Sequence, residues 1–240
     1  MKILSIGNSF SQDAHRYLSR LAKAEGVEIE TTNLYIGGCT LERHHANMQS
    51  GEAAYTLDLD GESTVNKSSL AEALAVGDWD VITLQQASHK SGLIDSYFPY
   101  LRELAAYVRE ACPRARLLLH ETWAYEEGSE RLRELGIFPT AKDMYKAASA
   151  AYAKAAEEIA ADGIIPSGTA MMAATELGAP RVHRDTFHAS YGLGRYILAL
   201  TWYHALTGNG IAGNRFSGFD EPVGEEEREI AIRAVLSAFS

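Results

Sequence analysis

The chain has 240 residues, 46% hydrophobic and 22% charged, which fits one large α/β domain able to bury a core without staples. Asp plus Glu number 32 against 22 Lys plus Arg, a net charge of −10, and that balance argues against a phosphate-tracking surface and a nucleic-acid partner. Cys39 and Cys112 stand far apart without C-x-x-C spacing, so no disulfide or metal signature is present, as suits a reducing compartment. The apolar opening breaks at Gly7, too short for a signal h-region or a membrane span. The expectation is a cytoplasmic chain with no membrane partner.

Ile3 to Ile6 reads as a short strand ending in a Gly-Asn-Ser turn. A helix follows over Ser11 to Ala24, with Ala14, Leu18, Leu21 and Ala22 at helical spacing and Ser11 as N-cap. Val27 to Ile36 is rich in β-branched residues and reads as a second strand, closed by Gly37 and Gly38, which completes a strand–helix–strand unit. Leu41 to Gln49 reads as a helix. Tyr55 to Val65 carries Asp60-Gly61, a hairpin signal, read as an excursion from the sheet. A helix over Ser68 to Val76, a buried strand Val81 to Leu84, a helix over Tyr97 to Ala111 and a strand Arg116 to His120 come next. Glu121 to Pro139 is a charged connection holding one helix. Ala141 to Ala161 is helical, Ile164-Ile165 is a fifth strand, and Ser167 to Leu177 is a helix. An irregular stretch, Gly178 to His188, precedes a helix over Tyr191 to Leu206, a loop from Gly208 to Gly218 and a closing helix from Glu225 to Phe239. Short buried strands alternating with helices predict one domain over residues 1–240, with a parallel sheet covered on both faces.

Several motifs dissolve on inspection. Gly208 to Gly213 matches G-x-G-x-x-G but follows a helix and opens none, so it cannot present amides to a pyrophosphate. His120-Glu121 starts an H-E-x-x-H that lacks its second His. His44 and His45 would point about 100° apart on a helix, so they read as surface or packing residues. No P-loop is present. No His, Cys or carboxylate spacing builds a metal site, and no cofactor is implied.

Acyl transfer needs a nucleophile, a base, a group orienting the base, and oxyanion donors. In an open α/β sheet these lie at the carboxyl ends of strands. The first strand ends in Gly7-Asn8-Ser9, just before a helix whose N-terminus favours negative charge. The second ends in Gly37-Gly38, where a bare amide can approach a ligand closely. The third ends in Gln85-Gln86, and the last irregular stretch holds Asp185-Thr186-Phe187-His188. Each alone has an ordinary reading: a turn, a strand-ending turn, an edge residue, a chance D-x-x-H. Their order and placement carry the weight.

In that order the chain resembles the SGNH (GDSL-type) hydrolase superfamily, and within it a bacterial branch catalogued as a domain of unknown function. The resemblance spans nearly the whole chain, loosest at the hairpin and at the Glu121–Pro139 connection. It implies a three-layer α/β/α sandwich with a five-stranded, flavodoxin-like parallel sheet. The G-D-S block reads G-N-S-F here, which makes Ser9 the nucleophile, with Asn8 in place of the usual Asp and beside the substrate. The second block reads G-G-C-T-L-E-R-H, and Gly38 matches the oxyanion glycine. The G-x-N of the third block is missing; the strand ends L-Q-Q-A-S, and Gln85 is the substitute donor, as in some sugar O-acetylesterase relatives. The fourth block is intact as Asp185 and His188. Alternation along a strand sends Gln85 and Gln86 to opposite sides, so Gln86 should matter little. Trp123, just past the fourth strand, reads as a substrate wall or as core packing.

The resemblance implies a serine esterase acting through an acyl-enzyme, with Ser9, the Gly38 amide and Gln85 holding the oxyanion. The favoured substrate is a small-molecule or glycan ester, a short-chain acyl group on a carbohydrate. A thioesterase or lysophospholipase, and a non-catalytic glycan-binding relative, are the alternatives.

Overall fold

In a computed structural model describing residues 1–240, β1 (Lys2–Gly7) is the middle of the sheet. It leads through α1 (Ser9–Ala24) to β2 (Glu30–Tyr35), which pairs parallel with it from Lys2 opposite Glu30 to Gly7 opposite Tyr35. After α2 (Leu41–Ser50) come β3 (Tyr55–Leu59) and β4 (Glu62–Ser68), and then α3 (Leu70–Ala75). β5 (Val81–Leu84) lies on the other side of β1, followed by α4 (Tyr100–Ala111), β6 (Arg116–His120), α5 (Glu130–Leu135), α6 (Ala141–Glu158) and β7 (Gly163–Ile165). Three helices close the chain: α7 (Ser167–Glu176), α8 (Leu193–Thr207) and α9 (Glu225–Ser237). No helix is long and apolar enough to cross a membrane.

The sheet order is β4-β3-β2-β1-β5-β6-β7, seven strands rather than five. The five parallel strands are those read from the sequence. The other two are the hairpin, which does not leave the sheet. β3 pairs antiparallel with β2, from Thr32 opposite Leu59 to Tyr35 opposite Thr56, and extends the sheet by two strands. Asp60 (φ 48°) and Gly61 (φ 75°) both take the left-handed conformation that suits a tight two-residue hairpin turn. The outermost strand, Glu-Ser-Thr-Val-Asn-Lys-Ser, is polar and mostly exposed, which blunts a free edge.

The central parallel strands carry apolar side chains on both sides because each side meets helices. Leu4, Ile6, Ile82, Leu84, Leu117 and Leu119 pack with residues of α2, α3, α4 and α6. Ile3, Val81, Leu118 and Ile165 pack with α1, α7, α8 and α9. This second face carries a buried polar seam: Ser5 lies 2.8 Å from Thr83 and 3.0 Å from His15 on α1.

One helix boundary bears on chemistry. α1 begins two residues before the predicted Ser11, because Asn8 is the cap. Its Oδ1 accepts from the Phe10 amide at 2.9 Å, and the Ser11 hydroxyl accepts from the Asn8 amide at 3.1 Å. Ser11 is thus the third residue of a capping box, and Ser9 opens the helix.

Candidate active site

The site lies where β1 ends and α1 begins. Gly7 is needed there: a Cβ on it would stand 1.8 Å from the Ser11 hydroxyl oxygen. The backbone therefore turns tightly into Asn8 and presents Ser9, half-buried, at the helix N-terminus. Residues 178–192, between α7 and α8, return to this point. His188 Nε2 lies 2.8 Å from Ser9 Oγ, and His188 Nδ1 lies 2.7 Å from Asp185 Oδ2. A carboxylate accepts only, so Nδ1 carries the hydrogen and Nε2 offers its lone pair to the Ser9 hydroxyl.

The 185–188 turn is held from several sides. The His188 amide donates to Asp185 Oδ1 at 2.8 Å. Thr186 sits at φ 75°, a conformation that a β-branched residue rarely takes. The Glu126 amide donates to the Thr186 carbonyl at 2.7 Å, and Trp123 Nε1–H donates to the Phe187 carbonyl at 2.7 Å. Partial burial pushes the Asp185 carboxyl up, but the bonds from the His188 ring and from the His188 and Phe187 amides outweigh it, leaving the group below the usual carboxylate value.

Two backbone amides of the cleft lining have no acceptor within the protein. As the first residue of α1, Ser9 has no carbonyl one turn back to receive its N–H. The Gly38 amide, in a turn where Gly38 takes φ 61°, donates to no protein acceptor.

Gln85 is placed differently from the expectation. The side chains of Gln85 and Gln86 do leave on opposite sides, but Gln85 turns into the protein and does not line the cleft. Its Nε2 donates to Asn8 Oδ1 at 2.8 Å and its Oε1 lies 2.7 Å from His120 Nδ1. Asn8 Nδ2 in turn donates to the Cys39 carbonyl at 3.2 Å. Gln85 therefore braces the residue before Ser9 instead of reaching toward a carbonyl oxygen at Ser9. Gln86 is equally buried and equally engaged: its Oε1 accepts from the Leu41 and Ala87 amides, and its Nε2 donates to Ser96. Trp123 is no substrate wall. It is 1% exposed, its ring is stacked on Phe10 with centroids 4.0 Å apart, and it supports the His188 turn from beneath.

A cleft of about 240 Å³ opens over Ser9 and His188. Asn8, Gly38 and the aromatic rings of Phe10, Tyr35, Tyr125 and Phe187 line it, together with Ser88, His89 and Arg131. The last three, with Tyr35 and Tyr125, went unread in the sequence, for nothing in their local pattern marks them. A larger cavity of about 420 Å³ lies behind the 185–188 turn and includes neither Ser9 nor His188. No cluster of three or more His, Cys, Asp or Glu is placed to share a metal ion.

The sequence profile of DUF4886, a domain of unknown function, matches residues 2–238. A DUF4886 family protein from Bacteroides uniformis, solved by crystallography, is 37% identical with a TM-score of 0.93, over 100% of this chain and 94% of that one. A candidate SGNH hydrolase from Slackia heliotrinireducens is 24% identical with a TM-score of 0.60, over 85% of this chain and 97% of that one. Axe2, an acetylxylan esterase from Geobacillus stearothermophilus, is 15% identical with a TM-score of 0.57, over 86% of this chain and 94% of that one. At these last two identities the likeness is one of fold. No curated protein sequence matches the chain. The chain therefore belongs to the DUF4886 family, and its fold is that of the SGNH (GDSL-type) hydrolases.

Proposed function

We propose that this protein is a serine esterase that removes short acyl groups from a carbohydrate through an acyl-enzyme. The observation that carries the reading is the continuous array Ser9 Oγ, His188 Nε2, His188 Nδ1, Asp185 Oδ2, with spacings of 2.8 and 2.7 Å, opening onto a cleft beside two uncommitted amides. His188 takes the Ser9 proton as Oγ bonds to the ester carbonyl carbon. The Ser9 and Gly38 amides receive the oxyanion, and the positive end of α1 adds to them. On collapse the acyl C–O bond breaks, and His188 returns the proton to the departing alkoxide. Water, deprotonated by the same imidazole, then releases the acid and restores Ser9. Asp185 holds the imidazole in the required tautomer and stabilises its charged form. The nucleophile, the base, the group that orients it and both oxyanion donors belong to the chain.

The carbohydrate half rests on the cleft. The half-buried rings of Tyr35 and Phe187 and the Tyr35 hydroxyl suit a sugar's C–H faces and hydroxyls. The acetylxylan esterase among the neighbours of the same fold agrees with it. A thioesterase or lysophospholipase would need a longer apolar trough than 240 Å³ provides.

Wild-type protein should hydrolyse 4-nitrophenyl acetate and be labelled by a fluorophosphonate. Ser9→Ala should lose the labelling and on the order of 10⁶ in kcat. Substantial activity left in Ser9→Ala, with folding verified by circular dichroism, overturns the assignment. Absence of labelling in the wild type favours the non-catalytic glycan-binding alternative.

A further inference from the structure

The charge inside the cleft departs from that of the chain. The protein holds 32 acidic residues against 22 Lys and Arg. Yet the cleft lining includes no Asp or Glu, and its one permanent cation is Arg131. Arg131 is the second residue of α5, in the long connection after β6. Its guanidinium carbon stands 5.2 Å from the centre of the Phe187 ring, and that ring lies 4.0 Å from the imidazole of His188. It shares the lining of the same opening with Tyr125 and His89.

The guanidinium is not consumed by the fold. Its ion pair is with Glu134, at 3.6 Å on the same short helix, with both side chains half-exposed. Pairs of this kind contribute little, and they exchange readily for a better acceptor. An arginine stacked on an aromatic face keeps its in-plane N–H groups free, and their fork matches a carboxylate with two parallel bonds. A chain of net charge −10 repels anions at a distance, so attraction of an anion to this cleft has to be local.

We propose that Arg131 binds the carboxylate of an acidic sugar, so that the ester presented to Ser9 is an O-acylated uronate. The inference rests on the esterase reading and names its substrate class. A single cation balances a single negative charge. The cleft, about 240 Å³, falls below the range of drug-sized sites, which is room for one sugar ring with its acyl group. Tyr35 and Phe187, the less buried rings of the lining, supply faces for the ring, and the Tyr35 hydroxyl supplies a bond for its hydroxyls. The carboxylate takes no part in bond changes: ester and water give free uronate and the carboxylic acid.

The test is acetate release from O-acetylated glucuronate and from its methyl ester, which differ only in the charge. Wild type should prefer the acid in kcat/KM by about tenfold or more, the worth of a charge-assisted bidentate contact. In Arg131→Gln the preference should fall to about one, and Arg131→Lys should restore part of it, mainly through KM. Equal kcat/KM for acid and methyl ester in the wild type overturns the inference while leaving the esterase reading intact. Calorimetry on Ser9→Ala separates the two further. Binding of glucuronate in preference to its methyl ester, lost in Ser9→Ala/Arg131→Gln, supports the carboxylate site whatever the fate of the nucleophile; no such preference overturns it.

Discussion

Around Ser9, a chain of amides fixes its own direction. The Phe10 N–H and the Cys39 carbonyl set which end of the Asn8 amide is oxygen. Gln85 must then turn its NH₂ toward Asn8 and its oxygen toward His120, whose Nδ1 therefore carries the hydrogen. His120 Nε2 accepts from Ser167 at 3.1 Å. Burial holds His120 neutral, with a pKa lowered to about 3. Asn8 matters here because an Asp could not give a hydrogen to the Cys39 carbonyl. If Gln85 braces Asn8, Gln85→Leu lowers stability by about 1–3 kcal/mol together with kcat. A direct oxyanion donor would lose kcat with the melting temperature unchanged, so paired kinetics and thermal denaturation decide. Gln86→Ala, which sequence reasoning would place among the mild changes, strands the Leu41 amide and should cost a similar amount on urea titration.

Between elements, Asp13 ties α1 to the turn that carries His188. It lies on the apolar stripe of the helix with Phe10, Ala14 and Tyr17, and its side chain is 0% exposed. Arg184 donates to both its oxygens at 2.8 and 2.9 Å, and Arg195 of α8 donates at 2.9 Å. Arg184 directly precedes Asp185, so this buried cluster sets the height of the turn over Ser9. Removing one partner of such a cluster leaves uncompensated charge in the interior, at about 3–5 kcal/mol. Asp13→Ala should therefore show a large loss of stability on denaturant titration. Under conditions where it remains folded, kcat should fall because the base is displaced, and KM should rise as Phe187, on the same turn, moves with it. Unchanged stability would mean that the two arginines find other partners.

At the scale of the molecule, buried titratable groups set opposing pH dependences. Burial lowers His15, His44 and His120 to about 3 each. Below the unfolded value of about 6.5 the unfolded chain takes up protons that these rings refuse. Their contribution is complete above that pH and is lost as pH falls toward 3. Glu121 behaves oppositely, raised by burial to about 7 despite bonds from Thr169. Its carboxyl is comfortable when neutral, so its contribution is complete below about 4.5 and is lost as pH rises through 7. Three rings outweigh one carboxyl, and overall stability should fall steeply on acidification from pH 6. Glu121→Gln should stabilise the protein at pH 8, by up to about 3 kcal/mol, with the gain shrinking toward pH 5. Denaturant titrations of both proteins at several pH values check the sign. A gain that grows on acidification would contradict it.

Much of this fold is legible in the chain because short-range physics writes it. Val81–Leu84 and Arg116–His120 are apolar runs between polar brackets, and they are strands with those bounds. The turn signal Asp60-Gly61 identifies a hairpin, but where the hairpin docks depends on the free edge of β2, which no local pattern records. The blocks holding Ser9, Gly38 and Asp185-His188 are readable from their order. The meeting of Ser9 with His188 joins residues 179 positions apart, and only packing achieves it. Alternation predicts that Gln85 and Gln86 diverge. That neither meets Ser9 is decided by where α1, α2 and β6 lie, since both are drawn into the interior by partners distant in sequence. Trp123, Asp13 and Arg131 look alike as isolated residues in a string. Burial makes the first a brace and the second an anchor, and the path of the connection after β6 leaves the third at the mouth of the cleft. Local sequence sets which segments are strands and helices, because propensity and periodicity act over a few residues. What each side chain does depends on its partners, and those are chosen only when the layers close.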